Sequence, residues 1–397
     1  MTPDFLTESE ARELVEHHMA HEPPATPLQQ ILDAGEIPRL KGYTVVPGKV
    51  SDSIFGGKGY YKKKNGTKVE FENPALDSVI DTPLRLMART LRISTHDKNR
   101  GEIPFKDQIL ALNHHFMRRM LMDIVGTSQY DVPGLTDSSV VVAAENLDSF
   151  MFENVLRVYA SRTDTSTSLF RAYFVRNERV FSGYLLPEGL IPNGKLLFIM
   201  DTPSTKTDAD KTIDPDYLFK KRICHPFEYR EITNRNIEGF VAVAAFLKQR
   251  GMLLADTKTE MGKDKQGRIK SQDELYTMDS SRFWSCEDYG HQLDLFLRRD
   301  EKGLEAYIKE TQPGIKEEEY TFNGGVVITP LSLSKEFARG MSKGSQGYTE
   351  QQRIEIAVRY IIGVQHLLNT RFEPDTRPHD ERVISGLKTS VAELIKN

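Results

Sequence analysis

Asp256, Lys258 and Glu260 follow a short apolar run, residues 252–255, at a spacing of two. The run is too brief for a stable helix and reads as a buried strand. On a strand that spacing puts all three side chains on one face. The polar stretch Gly262-Lys-Asp-Lys-Gln-Gly267 has glycine at both ends, so the chain is expected to double back as a hairpin. The return limb then delivers Asp273 and Glu274 near the first set. Carboxylates gathered round a lysine suit Mg²⁺, which favours a couple of carboxylates plus phosphate oxygens. A solvated charged hairpin fits the same residues, since charge clusters usually face water. Beyond the hairpin stands Thr277-Met-Asp-Ser-Ser-Arg-Phe-Trp284, where the chain's only tryptophan sits beside an arginine and hydroxyls.

The elements that must hold these residues can be read by pattern. Thr7-Glu-Ser-Glu10 is a capping box for a helix to about Ala20, which Pro23 and Pro24 stop. His17 and His21 lie one turn apart on it and read as a solvated face, because no further ligand set accompanies them. A short helix over 28–34 is closed by Gly35. Strand-like sequence begins at Tyr43, and Asn65-Gly66 is a hairpin turn signal. Ile109, Leu112, Phe116, Met120 and Ile124 recur at helical spacing. Residues 138–144 form a β-branched run that reads as a buried strand, and 237–250 as a helix ended by Gly251. Thr349 with Gln352 opens a later helix.

Composition bounds the function. A chain of 397 residues is long enough for two or three domains or one large two-lobed enzyme. A hydrophobic share of 39% and a charged share of 28% are ordinary for a soluble globular protein. The net charge of −4 argues against a general nucleic-acid binder. Cys224 and Cys286 are the only cysteines, so no disulfide framework is implied and a reducing cytosol fits. No apolar run reaches the roughly 18 residues needed to span a bilayer. These features make a cytoplasmic protein the expectation, with neither nucleic acid nor membrane as partner.

Taken together, D-T-K-x-E, a D-E pair a dozen residues on, and D-S-S-R-F-W resemble the SAICAR synthetase family, the ATP-dependent ligases of purine biosynthesis. Further strings come in the family's order: Gly48, Lys49 and Asp52 in its G-K-x-K/R-D opening, and Arg92, Ile93, Ser94 and Asp97 in its D-R-I-S-x-F-D loop. Glu102-Ile-Pro-Phe-Lys106 is similar to its I-P-x-K-G segment, Arg157 stands in V-V-R-G-Y, and Leu186-Pro-Glu-Gly-Leu190 and Thr202-Pro-Ser-Thr-Lys206 match closely. Lys335 and Arg339 keep its D-K-Q-x-x-R pattern. Departures fall at Ser51, Ile54, Leu91, His96 and Asp107, and in the Ser/Thr-rich run 161–168.

The resemblance implies an α+β, two-lobed fold: a small antiparallel β lobe over ATP, residues 41–145, and a larger α+β lobe, 146–397, with a helical extension over 1–40. It implies amide formation between the carboxylate of carboxyaminoimidazole ribonucleotide (CAIR) and L-aspartate, with ATP and Mg²⁺. The site residues it implies are Lys258 and Lys206 in catalysis; Gly48, Lys49, Ala143, Glu145 and Glu260 on ATP; and Glu260 and Asp273 on the metal. Arg92, Ser94, Arg157, Ser204, Thr205, Asp279, Arg282 and Lys335 would bind substrate. A phosphotransferase of related fold, an amide ligase with another acceptor, and a nucleotide-binding protein without catalysis are the alternatives.

Overall fold

The computed structural model describes residues 4–62, 67–79, 81–95, 98–163, 165–206, 210–341 and 347–395. Asn65, Gly66, His96, Asp97 and residues 342–346 of the polar linker lie outside the described residues. The helices that position the site are α1 (Glu8–His21), α2 (Leu28–Asp33), α3 (Lys106–Leu121), α4 (Pro226–Gln249), α5 (Glu350–Leu368) and α6 (His379–Leu394). The strands are β1 (Ser51–Phe55), β2 (Leu84–Arg89), β3 (Val141–Glu145), β4 (Phe152–Tyr159), β5 (Lys195–Asp201), β6 (Met252–Thr259) and β7 (Ser281–Ser285).

Both capping boxes form, Thr7 with Glu10 on α1 and Thr349 with Gln352 on α5. Helix α4 begins well before residue 237. Its cap is His225, whose side chain accepts from the Phe227 N–H while Glu228 bonds back, and Pro226 occupies the first turn. The polar run after Pro226 has little apolar periodicity, which concealed this start. The buried side of α3 is also broader than the expected stripe: Leu112, Phe116 and Met120 are only partly buried, whereas Leu110, His114, Met117 and Leu121 are enclosed. The helix is wedged between β2 and α5, so both flanks are covered.

The named strands form two antiparallel sheets. One runs β1-β2-β3, edged by Val46–Pro47, and the other runs β5-β4-β6-β7. In the second sheet, Gly251 takes the left-handed conformation (φ +70°) that ends α4 and launches β6. Leu254 pairs with Phe283 and Asp256 with Arg282, leaving Ala255 as an extra residue on β6. This bulge changes the parity of the strand. Before it, Met252 and Leu254 point into the large core with Phe283; after it, Asp256 and Lys258 lie on the opposite face. The expectation that Asp256, Lys258 and Glu260 share one face holds, and the bulge decides which face.

Apolar packing joins segments distant in sequence. The larger cluster gathers α1, α3, α4 and α5 against β4, β6 and β7. The smaller one packs α2 and the C-terminal α6 on the β1-β2-β3 sheet. The expected divisions after residues 40 and 145 are cuts in sequence, whereas α1 and α2 serve different cores. No helix among the described residues is long and apolar enough to cross a membrane.

Candidate active site

Register across the second sheet places Arg157 opposite Asp256, and Asp256 opposite Arg282. The three make a cation–anion–cation row. Arg282 Nη1 lies 2.8 Å and Arg157 Nη1 3.5 Å from Asp256 Oδ2. Arg282 Nε is 3.0 Å from Glu336. Burial lowers the Arg157 pKa to about 10 although Asp256 opposes it, which leaves the guanidinium charged.

Two residues further along the same face, Lys258 meets Glu153 Oε1 at 2.6 Å and Glu260 Oε1 at 3.2 Å. Lys206, from the T-P-S-T-K loop, bonds the other Glu260 oxygen. That loop is brought in by strand pairing, since Ser204 lies opposite Glu153 and its Oγ bonds Glu153 Oε2 at 3.0 Å. Glu153 was missed by sequence reasoning. Its parity with Arg157 was the available signal. Burial would raise the Glu260 pKa, but Lys258 and Lys206 outweigh it and hold it at about 2. Lys258 is held above the ordinary lysine range, because Glu260, Glu153 and Asp273 outweigh its desolvation.

The return hairpin is tighter than expected. Its turn runs from Asp264 to Gly267, with Gly262 inside the first limb and Ile269–Ser271 as the second. Asp273 and Glu274 follow the second limb, and Glu274 is paired with Arg89 at 2.8 Å. Asp273 has no ion-pair partner among the described residues. Withdrawal from water, then the Glu260 and Glu274 charges, push its pKa up, with Lys258 and Arg85 offsetting this in part.

A second constellation surrounds Asp279. Lys106 Nζ and Lys335 Nζ stand 2.9 and 3.3 Å from its Oδ2, and the Tyr360 hydroxyl donates to Oδ1 at 2.5 Å. Burial would raise the Asp279 pKa, but Lys106 and Lys335 hold it well below the carboxylate range. Burial lowers that of Lys335, with Asp279 opposing and Lys106 and Arg339 adding to the fall. Lys106 and Tyr360 were not anticipated as site residues.

The other expected site residues have protein partners of their own. The Arg92 guanidinium bonds Asp52 and the Gly48 carbonyl, at 3.1 Å to the latter. It braces a turn so tight that a Cβ on Gly48 would lie 2.2 Å from Ser51 O. Lys49 sits exposed on that turn, and Ser94 faces Asn99 in a separate hairpin. The backbone expected to meet adenine at Ala143 and Glu145 is already paired. Tyr130 N–H donates to Ala143 O at 2.9 Å, and Glu145 N–H donates to Ser128 O at 2.7 Å. The outer edge of β3 is covered by residues 128–130, and the Glu145 side chain pairs with Lys270 at 2.6 Å. Trp284 packs edge-on against Tyr159 at 5.0 Å and belongs to the core.

Comparison with known proteins places this arrangement. Residues 79–313 match the model of the SAICAR synthetase family. The chain is 33% identical over 219 residues to a putative phosphoribosylaminoimidazole-succinocarboxamide synthase 2 of Mesorhizobium japonicum, covering 54% of this chain and 68% of that one. It is 32% identical over 210 residues to the corresponding synthase of Legionella pneumophila, covering 53% of this chain and 65% of the relative, just under two thirds. With the chloroplastic synthase of Arabidopsis thaliana it shares 27% identity over 321 residues, 78% of this chain and 69% of the relative. Among solved structures, SAICAR-synthase from Saccharomyces cerevisiae complexed with SAICAR superposes with a TM-score of 0.58 at 19% identity, covering 84% of this chain and 97% of that one. A type-2 SAICAR synthetase in complex with ADP gives 0.52 at 18% identity, over 83% and 100% of the two chains. These two establish likeness of fold.

Proposed function

Because the chain belongs to the SAICAR synthetase family, we propose that it is an ATP-dependent ligase joining the carboxylate of CAIR to the amine of L-aspartate. The observation that carries this reading is the charge arrangement along one face of the second sheet and around Asp279, just ahead of β7. Around Lys258 and Lys206 stand Glu153, Glu260 and Asp273, an acidic excess suited to a cation. Around Asp256, Asp279 and Glu336 stand Arg157, Arg282, Lys106, Lys335 and Arg339, a cationic excess suited to a phosphate. A substrate with a phosphate at one end and a reacting carboxylate at the other fits both.

A carboxylate is a poor electrophile and must be activated. Its oxygen attacks the γ-phosphorus of ATP and ADP leaves. The aspartate nitrogen then attacks the acyl carbon, phosphate departs and the nitrogen loses a proton. Lys258 and Lys206, fixed by Glu153 and Glu260, would neutralise the anions while they approach. Glu260 and Asp273 would hold Mg²⁺, which when bound aligns and neutralises phosphate oxygens. The fit is supported by Asp273, a crowded carboxylate with no cation of its own among the described residues. The described residues contain no cluster of three or more ligating side chains, so water and phosphate oxygens would have to complete the shell.

ADP release should require both CAIR and aspartate, with an amide product detectable by mass. ADP formed equally well without aspartate would favour phosphoryl transfer to another acceptor and overturn the reading.

Arg282 is expected to serve phosphate binding, since its guanidinium is buried, locked by Asp256 and Glu336, and beside Arg157. Lysine cannot reproduce the planar fork that meets both carboxylates. Arg282→Lys should raise KM for CAIR by roughly 10-fold or more, while KM for ATP and aspartate hold. A fall confined to kcat would place Arg282 in the chemistry instead.

A further inference from the structure

Asp107 stands where the chain departs from the I-P-x-K-G pattern, and it is a fully buried carboxylate. His379 Nδ1 lies 2.8 Å and Arg382 Nη1 3.2 Å from its Oδ2, both from α6. Neither partner touches the groups described above. Such a buried ionic cluster is weak evidence for stability, because desolvation consumes much of the Coulombic gain. Its placement suggests another purpose.

Phe105, Lys106 and Asp107 are consecutive, and each is held by a different part of the chain. Phe105 is left-handed (φ 58°) and stacks on His18 of α1 at 4.1 Å. Asp107 is gripped by α6. Lys106, between them and wholly buried, reaches Asp279 at 2.9 Å. The two grips are joined, because Glu22, just past α1, accepts the His379 backbone N–H at 2.8 Å. The leading end of α1 is also tied to α5, which carries Tyr360: Leu6 N–H donates to Gln365 Oε1 at 2.8 Å, and Gln365 Nε2 donates back at 3.1 Å.

We propose that Asp107, clamped by α6 and the segment around α1, is a positioning residue that sets Lys106 Nζ against Asp279, so that the two ends of the chain shape the ribonucleotide end of the site. This rests on the ligase reading. A lysine tip is placed by the orientation of its own helical turn, and here the residues on either side of Lys106 fix that turn. Asp279 then presents its carboxylate at one orientation, with Tyr360 on the other oxygen.

The test is Asp107→Asn, which keeps the shape and removes the charge. KM for CAIR should rise roughly 3- to 30-fold, with kcat and KM for ATP nearly unchanged. Should that variant not fold, Glu22→Ala removes the acceptor for His379 N–H together with the carboxylate 3.3 Å from His18 Nε2, leaves Asp107 itself intact, and should give the same split in smaller measure. Loss of thermal stability in both variants with unshifted KM for CAIR, or a parallel change in every kinetic constant, would reduce the clamp to a structural role and overturn the proposal. Wild-type protein that neither binds nor consumes CAIR would sink the ligase reading, and this proposal with it.

Discussion

Asp273→Asn should abolish turnover and at the same time make the protein harder to unfold. The carboxylate stands beside Glu260 and Glu274 without an ion-pair partner among the described residues, and its pKa is raised. The folded state therefore holds a proton there that the unfolded chain has already lost, and stability falls as pH rises through the raised pKa. The penalty grows as pH rises above the ordinary carboxylate range, and asparagine removes it. Melting temperature should rise near neutrality, and the gain should shrink as pH is lowered toward the ordinary carboxylate range. Turnover should fall on the order of 10²–10³-fold or more, the cost of losing one preorganised charge at a reacting centre. Glu260→Gln should be equally inactive yet less stable. Glu260 carries a lowered pKa of about 2, so it contributes stability at neutral pH that is lost progressively as pH falls from the ordinary carboxylate range through that value. Paired melting curves and ADP-release rates decide the matter. An Asp273→Asn protein that melts lower than wild type and still turns over would remove the metal assignment.

Lys258→Met should lower kcat by about 10²–10³-fold, since its ammonium lies between Glu260 and Glu153. The loss should also cost stability of about 1–3 kcal/mol, because Glu153 and Glu260 keep their charges and lose a charge-assisted hydrogen bond. That figure is modest because the Lys258 side chain remains 37% exposed. Lys258→Met combined with Glu153→Gln separates the two effects. Stability should return in the double variant, and turnover should not. Restored turnover would show that Lys258 serves only to offset Glu153, and would end its catalytic assignment.

The local features were legible in the sequence. Capping boxes at Thr7 and Thr349 depend on residues three apart, and they form as expected. The spacing of Asp256, Lys258 and Glu260 put them on one face because strand geometry alternates whatever surrounds it. The strings T-P-S-T-K and D-S-S-R-F-W pointed to the family, and the family model covers residues 79–313.

Tertiary structure decided the partners. The extra residue at Ala255 turns the charged face of β6 away from the large core, and no alternation rule foretells a bulge. Glu153 reached Lys258 through the β4–β6 register, 105 positions away in sequence. Arg92 met Asp52 and Glu145 met Lys270, neighbours the chain brings in from elsewhere. Asp107 read as a lost glycine until α6 supplied His379 and Arg382. The physical reason is common to all four. Propensity and periodicity are fixed by residues within a turn or a strand, whereas a buried charge takes whichever counter-charge the register and packing deliver, and that pairing is settled only when the chain has closed on itself.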